Sequence, residues 1–84
     1  MTLDDISEMS PEALLCDGFD EAIIGLGTRI GMELVVAYDV EKIIGILMDR
    51  DGMNYEEAVE YYDFNIVGAW MGEFTPIFIT TSVD

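Results

Sequence analysis

Two consecutive helical stripes limit the folds open to this chain. Val40, Ile43, Ile44, Leu47 and Met48 recur at i, i+3, i+4, i+7 and i+8 behind Asp39, a good N-cap, and Asp51 with Gly52 closes the segment. Asn54 then opens a second helix, with Glu57 three residues on in the capping-box position. Tyr55, Ala58, Val59, Tyr62, Ile66 and Ala69 fall on one arc of about 100° at 3.6 residues per turn. Each helix is apolar on one side only, so both stripes need a common cover. Upstream, Ala22 to Arg29 and Leu34 to Tyr38 read as two strands joined by a turn at Gly31, and Ile77 to Thr80 reads as a last strand after the break at Thr75 and Pro76.

The simplest arrangement that buries both stripes is an α+β fold. It has a three-stranded antiparallel sheet, hairpin plus C-terminal strand, covered on one face by the two amphipathic helices. Ser10, Pro11 and Glu12 read as N-cap, N1 and first-turn acid of a short N-terminal helix running through Cys16 and ending at Asp17 and Gly18. Residues 1–9 are expected to form a flexible arm and 81–84 a tail of a single 1–84 domain, since 84 residues support one core. Glycines at 25 and 27 predict a bulge or a close neighbour in the first strand, and Phe19 to Ile24 can also make a helical turn.

Composition excludes several chemistries. There is no histidine, so Ser-His-Asp and Cys-His catalysis and HExxH zinc chemistry are not available to this chain. A lone cysteine, Cys16, makes neither an intramolecular disulfide nor a CxxC metal site and is expected as a small buried side chain. The N-terminus lacks a basic n-region, and no apolar run reaches the roughly 18 residues of a membrane span, so a soluble cytoplasmic protein is expected. Eighteen acids against three bases leave a net charge of -15, which opposes direct binding to nucleic acid or anionic lipid.

Three constellations resemble chemical sites. Gly25, Gly27 and Gly31 form GxGxxxG rather than a dinucleotide fingerprint, and a strand follows where the phosphate-binding helix belongs, so a bulged strand and turn explain them. Asp49, Asp51, Asn54 and Glu56 around Gly52 resemble a calcium loop, but the glycine is at position 4 instead of 6; a C-cap followed by an N-cap accounts for the segment. Paired carboxylates could act as acid and base, yet with so many acids pairs arise by chance. No catalytic residue, metal ligand or cofactor is assigned, and a carboxylate metalloenzyme is the weakest of the functional expectations.

The distribution of charge is more informative. Residues 1–28 hold seven acids and no base, and residues 49–84 hold eight acids against Arg50. On the second helix Glu56, Glu60 and Asp63 stand at i, i+4 and i+7, carboxylates about 5 to 6 Å apart, a row that resembles the phosphates of nucleic acid. Tyr61 and Phe64, like Ile46 on the preceding helix, point away from the core arc. Glu56, Glu57, Glu60, Tyr61, Asp63 and Phe64 are therefore the expected partner-binding residues, an apolar patch beside an acidic row. The expected function is a non-enzymatic acidic protein-binding module, forming a homodimer and occupying the basic groove of another protein. The alternative is an assembly accessory whose acids are only a solvated face and whose apolar surface builds a homo-oligomer.

One resemblance extends this expectation. The run Asp51-Gly52-Met53-Asn54-Tyr55-Glu56-Glu57-Ala58, followed by Glu60-Tyr61, Asn65 and Gly72-Glu73-Phe74-Thr75-Pro76-Ile77-Phe78, resembles a group of short acidic proteins encoded by bacteriophages and prophages. Asp17-Gly18, Ala22 to Gly25 and Tyr38-Asp39 belong to the same pattern, which spans Asp17 to Ile79. These are fold signatures and bring no activity with them. The resemblance implies a bacterial host cell as the setting and, by analogy, inhibition of a host restriction, CRISPR or repair protein through nucleic-acid mimicry.

Overall fold

A computed structural model describes residues 3–16, 18–28, 30–31, 33–68, 72 and 74–81. It shows an α+β fold in the order α1 (Leu3–Met9), β1 (Ile23–Gly27), β2 (Val35–Asp39), α2 (Val40–Asp51), α3 (Tyr55–Tyr61) and β3 (Ile77–Ile79). A 3-10 turn over Asp20–Ala22 precedes β1, and a π-helical turn over Tyr62–Val67 continues α3.

The sheet order is β1-β2-β3. β1 and β2 form the expected antiparallel hairpin, and the register slips between Ile23 and Gly25, where the glycine pattern predicted a bulge. β3, in contrast, runs parallel to β2, pairing Ala37 with Ile77, Tyr38 with Phe78 and Asp39 with Ile79. The sheet is mixed, which corrects the antiparallel expectation. Parallel neighbours need a long crossover, and the connection through α2 and α3 supplies one.

Strand alternation sends Val36, Tyr38 and Phe78 to the helix side. There they meet Ile43, Ile44, Leu47, Ala58 and Tyr62 in one core. Tyr38 and Phe78 stack with centroids 5.9 Å apart, and Tyr62 meets Phe78 edge-on at 5.6 Å. The opposite face carries Gly27, Val35, Ala37, Ile77 and Ile79. A Cβ on Gly27 would stand 2.6 Å from Ile77 Cδ1, so the glycine leaves room for Ile77 to lie across the sheet.

Local signals at the helix ends hold. Asp39 Oδ1 accepts from the backbone N–H of Glu41 at 2.9 Å and of Lys42 at 3.4 Å, while Oδ2 accepts from the Thr81 hydroxyl at 3.1 Å. One carboxylate thus ties the end of β2 to the start of α2 and to the chain leaving β3. Gly52 ends α2 in the left-handed region at φ 69.

The N-terminal segment differs from expectation. Residues 3–9 form a helix rather than a loose arm, and Ile6 is buried in the core. The helix expected at 10–16 is absent: Pro11 and Glu12 lie in a turn and 13–16 is extended or irregular. Ser10 donates its backbone N–H back to Ile6 O at 2.8 Å and its hydroxyl to Leu34 O at 3.1 Å, so it ends α1 instead of capping a new helix. Short helices draw their stability from tertiary contact, which Ile6 supplies for α1, while Ala13 and Cys16 pack partly buried against the same core without forming a helix. Thr81 lies within the expected tail and is held by Asp39; the rest of it, 82–84, is outside the described residues.

Candidate functional site

The face of α3 turned away from the sheet is set by its first turn. Asn54 Oδ1 accepts from the Glu57 backbone N–H at 2.9 Å, and Glu57 Oε1 accepts from the Asn54 N–H at 3.0 Å, completing the predicted capping box. Ala58, Tyr62 and Ile66 then face the core at steps of four. Such steps drift by about 40° each in an α-helix, and the wider π-turn from Tyr62 keeps Ile66 on the core side. Gly68 closes this turn, donating its N–H to Asp63 O at 3.2 Å; a Cβ there would press on the Asp63 and Phe64 carbonyl oxygens at 3.1 and 3.2 Å.

With the core side fixed, the predicted partner-binding residues come to the surface. Glu56, Glu57, Glu60 and Asp63 are all exposed, Tyr61 is 41% exposed and Phe64 75%. Glu57, Glu60, Tyr61 and Phe64 line one open groove of about 350 Å³, together with Met53 and Asn65. Glu56 and Asp63 are exposed on the same helical stretch but do not line the groove. Glu57 is partly committed, since one of its oxygens holds the capping box. Glu56, Glu60 and Asp63 have no ion-pair partner among the described residues, where the ion pair found is Arg50 with Asp51 at 3.1 Å.

Two expectations about aromatic and apolar positions change. Tyr55, placed on the core arc by angle, is 54% exposed, because an angular projection gives a side of the helix and not the depth of burial. Ile46, expected to point away, packs partly buried against the core. Ala69, the last residue of that arc, lies outside the described residues. Met53 and Asn65 were missed as groove residues. Met53 lies between two helices and carries no periodic signal, whereas Asn65, four residues after Tyr61, was legible by spacing and donates its Nδ2 to Tyr61 O at 3.3 Å.

Arg50 is engaged elsewhere. Its Nε and Nη2 donate to the two Asp51 oxygens at 3.1 Å each, its Nη1 donates to Gly18 O at 3.0 Å, and its guanidinium lies 5.0 Å from the Phe19 ring centroid. The arginine's hydrogen bond holds the Asp51 carboxyl below its usual pKa. A Cβ on Gly18 would stand 2.6 Å from Nη1, so this contact needs the glycine. The segment resembling a calcium loop is thus occupied by an ion pair, a C-cap and an N-cap. Among the described residues, no group of three or more Cys, Asp or Glu is placed to hold a metal ion.

The remaining candidate chemistry lies at Cys16 and Tyr38. The Tyr38 hydroxyl, on a fully buried ring, accepts from the Cys16 backbone N–H at 2.7 Å, and burial pushes its pKa up to about 12. Burial also raises the Cys16 thiol, the opposite of what activates a cysteine nucleophile. No helix among the described residues is long and apolar enough to cross a membrane. The chain matches no protein-family model, no curated protein sequence and no solved structure.

Proposed function

We propose that this protein is a non-enzymatic acidic binding module that occupies the nucleic-acid-binding groove of another protein, in the manner of a phage-type inhibitor of a host restriction, CRISPR or repair protein. The observation that carries this reading is the outward face of α3 and its π-turn. Exposed Tyr61 and Phe64 stand there among carboxylates that have no ion-pair partner among the described residues. A row of carboxylates at helical spacing satisfies a basic groove as phosphates do, and the aromatic side chains add the apolar contact that phosphates lack. Attraction of this kind weakens with salt, because exposed charges are screened over about 8 Å at physiological ionic strength.

The test is capture from a bacterial lysate on the immobilised protein, beside the Glu56→Lys, Glu60→Lys, Asp63→Lys triple variant. The expected result is a captured set dominated by nucleic-acid-binding proteins, released by added DNA and by salt, and lost with the variant. Capture that survives charge reversal, or that DNA does not compete, refutes the reading.

A second reading, a homo-oligomeric assembly accessory, draws on a different surface. Ile77 and Ile79 are 42% and 38% exposed on the sheet face away from the helices, on a strand of only three residues. Sedimentation of the wild type and of Ile79→Lys tests it: a dimer that becomes a monomer supports it, and a monomer in both cases removes it.

A further inference from the structure

Resting on the proposed function, we infer that the groove beside α3 receives one arginine side chain of the partner, in preference to lysine. The polar groups lining it can all accept: the Glu60 carboxylate, the Glu57 oxygen left free by the capping box, the Tyr61 hydroxyl and the Asn65 amide oxygen, with one of the two Asn65 Nδ2 hydrogens spent on Tyr61 O. A set of acceptors around one opening is complementary to a group with only donors, and arginine carries five donors and no acceptor. The remaining lining, Met53, Tyr61 and Phe64, is apolar or aromatic. It suits a planar, weakly hydrated guanidinium better than a compact, strongly hydrated ammonium. An anion is excluded by the carboxylates.

The molecule already holds one guanidinium in this way. Arg50 lies 5.0 Å from the centroid of an aromatic ring, Phe19, while a carboxylate, Asp51, takes two of its donors and a carbonyl oxygen takes a third. The groove offers the same three elements, ring, carboxylate and neutral oxygen, and among the described residues no arginine lines it. The groove is open and its rings are exposed, so a side chain reaching in from a partner's surface can lie against Phe64 or Tyr61 and meet Glu60. The acids outside the groove, Glu56 and Asp63, then act at longer range on the charges flanking that arginine.

Two fluorescein-labelled nonapeptides of equal charge test this, one alternating arginine with glycine and the other lysine with glycine, titrated by fluorescence anisotropy at low salt. The wild type is expected to bind the arginine peptide about two- to fivefold more tightly, the size of an exposed cation–π contact. Phe64→Ala should abolish that preference and leave lysine-peptide binding unchanged; the ring is 75% exposed, so the fold survives, which circular dichroism checks. Glu60→Gln should weaken both peptides more than Glu8→Gln, which removes the same charge from α1. Equal affinity for the two peptides, or an arginine preference that persists in Phe64→Ala, overturns the inference. If the preference is absent while charge reversal at Glu56, Glu60 and Asp63 still abolishes binding and lysate capture, the groove assignment fails and the acidic-face function stands. If the wild type binds neither peptide and captures no nucleic-acid-binding protein, both fail.

Discussion

Asp39→Ala isolates the junction that ties β2, the start of α2 and the chain leaving β3 together. The Asp39 carboxylate is 8% exposed and makes three contacts: two with the first turn of α2 and one with Thr81 beyond β3. Replacing an N-cap aspartate by alanine costs about 0.5 to 2 kcal/mol, and losing a hydrogen bond to a carboxylate at a partly exposed position adds about 1 kcal/mol. The expected loss is therefore about 1.5 to 3 kcal/mol. A domain of this size is stable by roughly 4 to 13 kcal/mol, so the change is a substantial fraction of the whole. At about 4 to 8 °C per kcal/mol, the melting temperature should fall by on the order of 10 to 20 °C. Urea unfolding followed by circular dichroism gives the free energy directly. Asp39→Asn keeps an equally good cap, and its amide can donate to the Thr81 hydroxyl, so it should cost less than about 1 kcal/mol. Thr81→Ala combined with Asp39→Ala should be less damaging than the sum of the two, because they share one bond. If Asp39→Ala lies within about 0.5 kcal/mol of the wild type, or Asp39→Asn is equally harmful, the assignment of this junction is wrong.

Other substitutions and conditions test separate parts of the structure. The folded-state pKa of Tyr38 lies near 12, above its ordinary value of 10.0, so the folded state holds the proton longer; stability should be complete below pH 10 and fall as pH rises from 10 toward 12. Tyr38→Phe should flatten that alkaline loss in urea titrations while costing about 1 to 2 kcal/mol at neutral pH, because the Cys16 N–H loses its acceptor. Gly27→Ala displaces the Ile77 terminal methyl, the mobile end of a side chain already 42% exposed, so unfolding should show a loss of no more than about 1 kcal/mol. With a net charge of -15, the melting temperature at neutral pH should rise as sodium chloride screens the acidic surface, and a flat salt response in calorimetry would show the acids to be internally compensated.

The elements legible in the sequence are those specified by residues within a few positions of one another. Asp39 before Val40, Gly52 after Asp51, and Asn54 with Glu57 mark helix ends through bonds spanning two to five residues, and all are present. The hairpin is equally local, with its bulge at Ile23 and Gly25 and a positive φ at Gly31. The outward placement of Glu60, Tyr61 and Phe64 follows from helical angle alone, given which side is apolar.

Tertiary structure decided the rest, because the determining contacts are distant in sequence. Ser10, Pro11 and Glu12 satisfy every local rule for a helix start, yet the Ser10 hydroxyl is taken by the carbonyl of Leu34 and the helix forms one segment earlier, where Ile6 reaches the core. The direction of β3 depends on how α2 and α3 return the chain, and its side-chain pattern reads the same in either direction. Tyr55 and Ile46 show that angle on a helix assigns a side, while burial depends on whether another element stands there. The groove itself needed Met53, outside either helix, to meet the face of α3. Local bonding is written in neighbouring residues; which surfaces meet is settled only when the whole core packs.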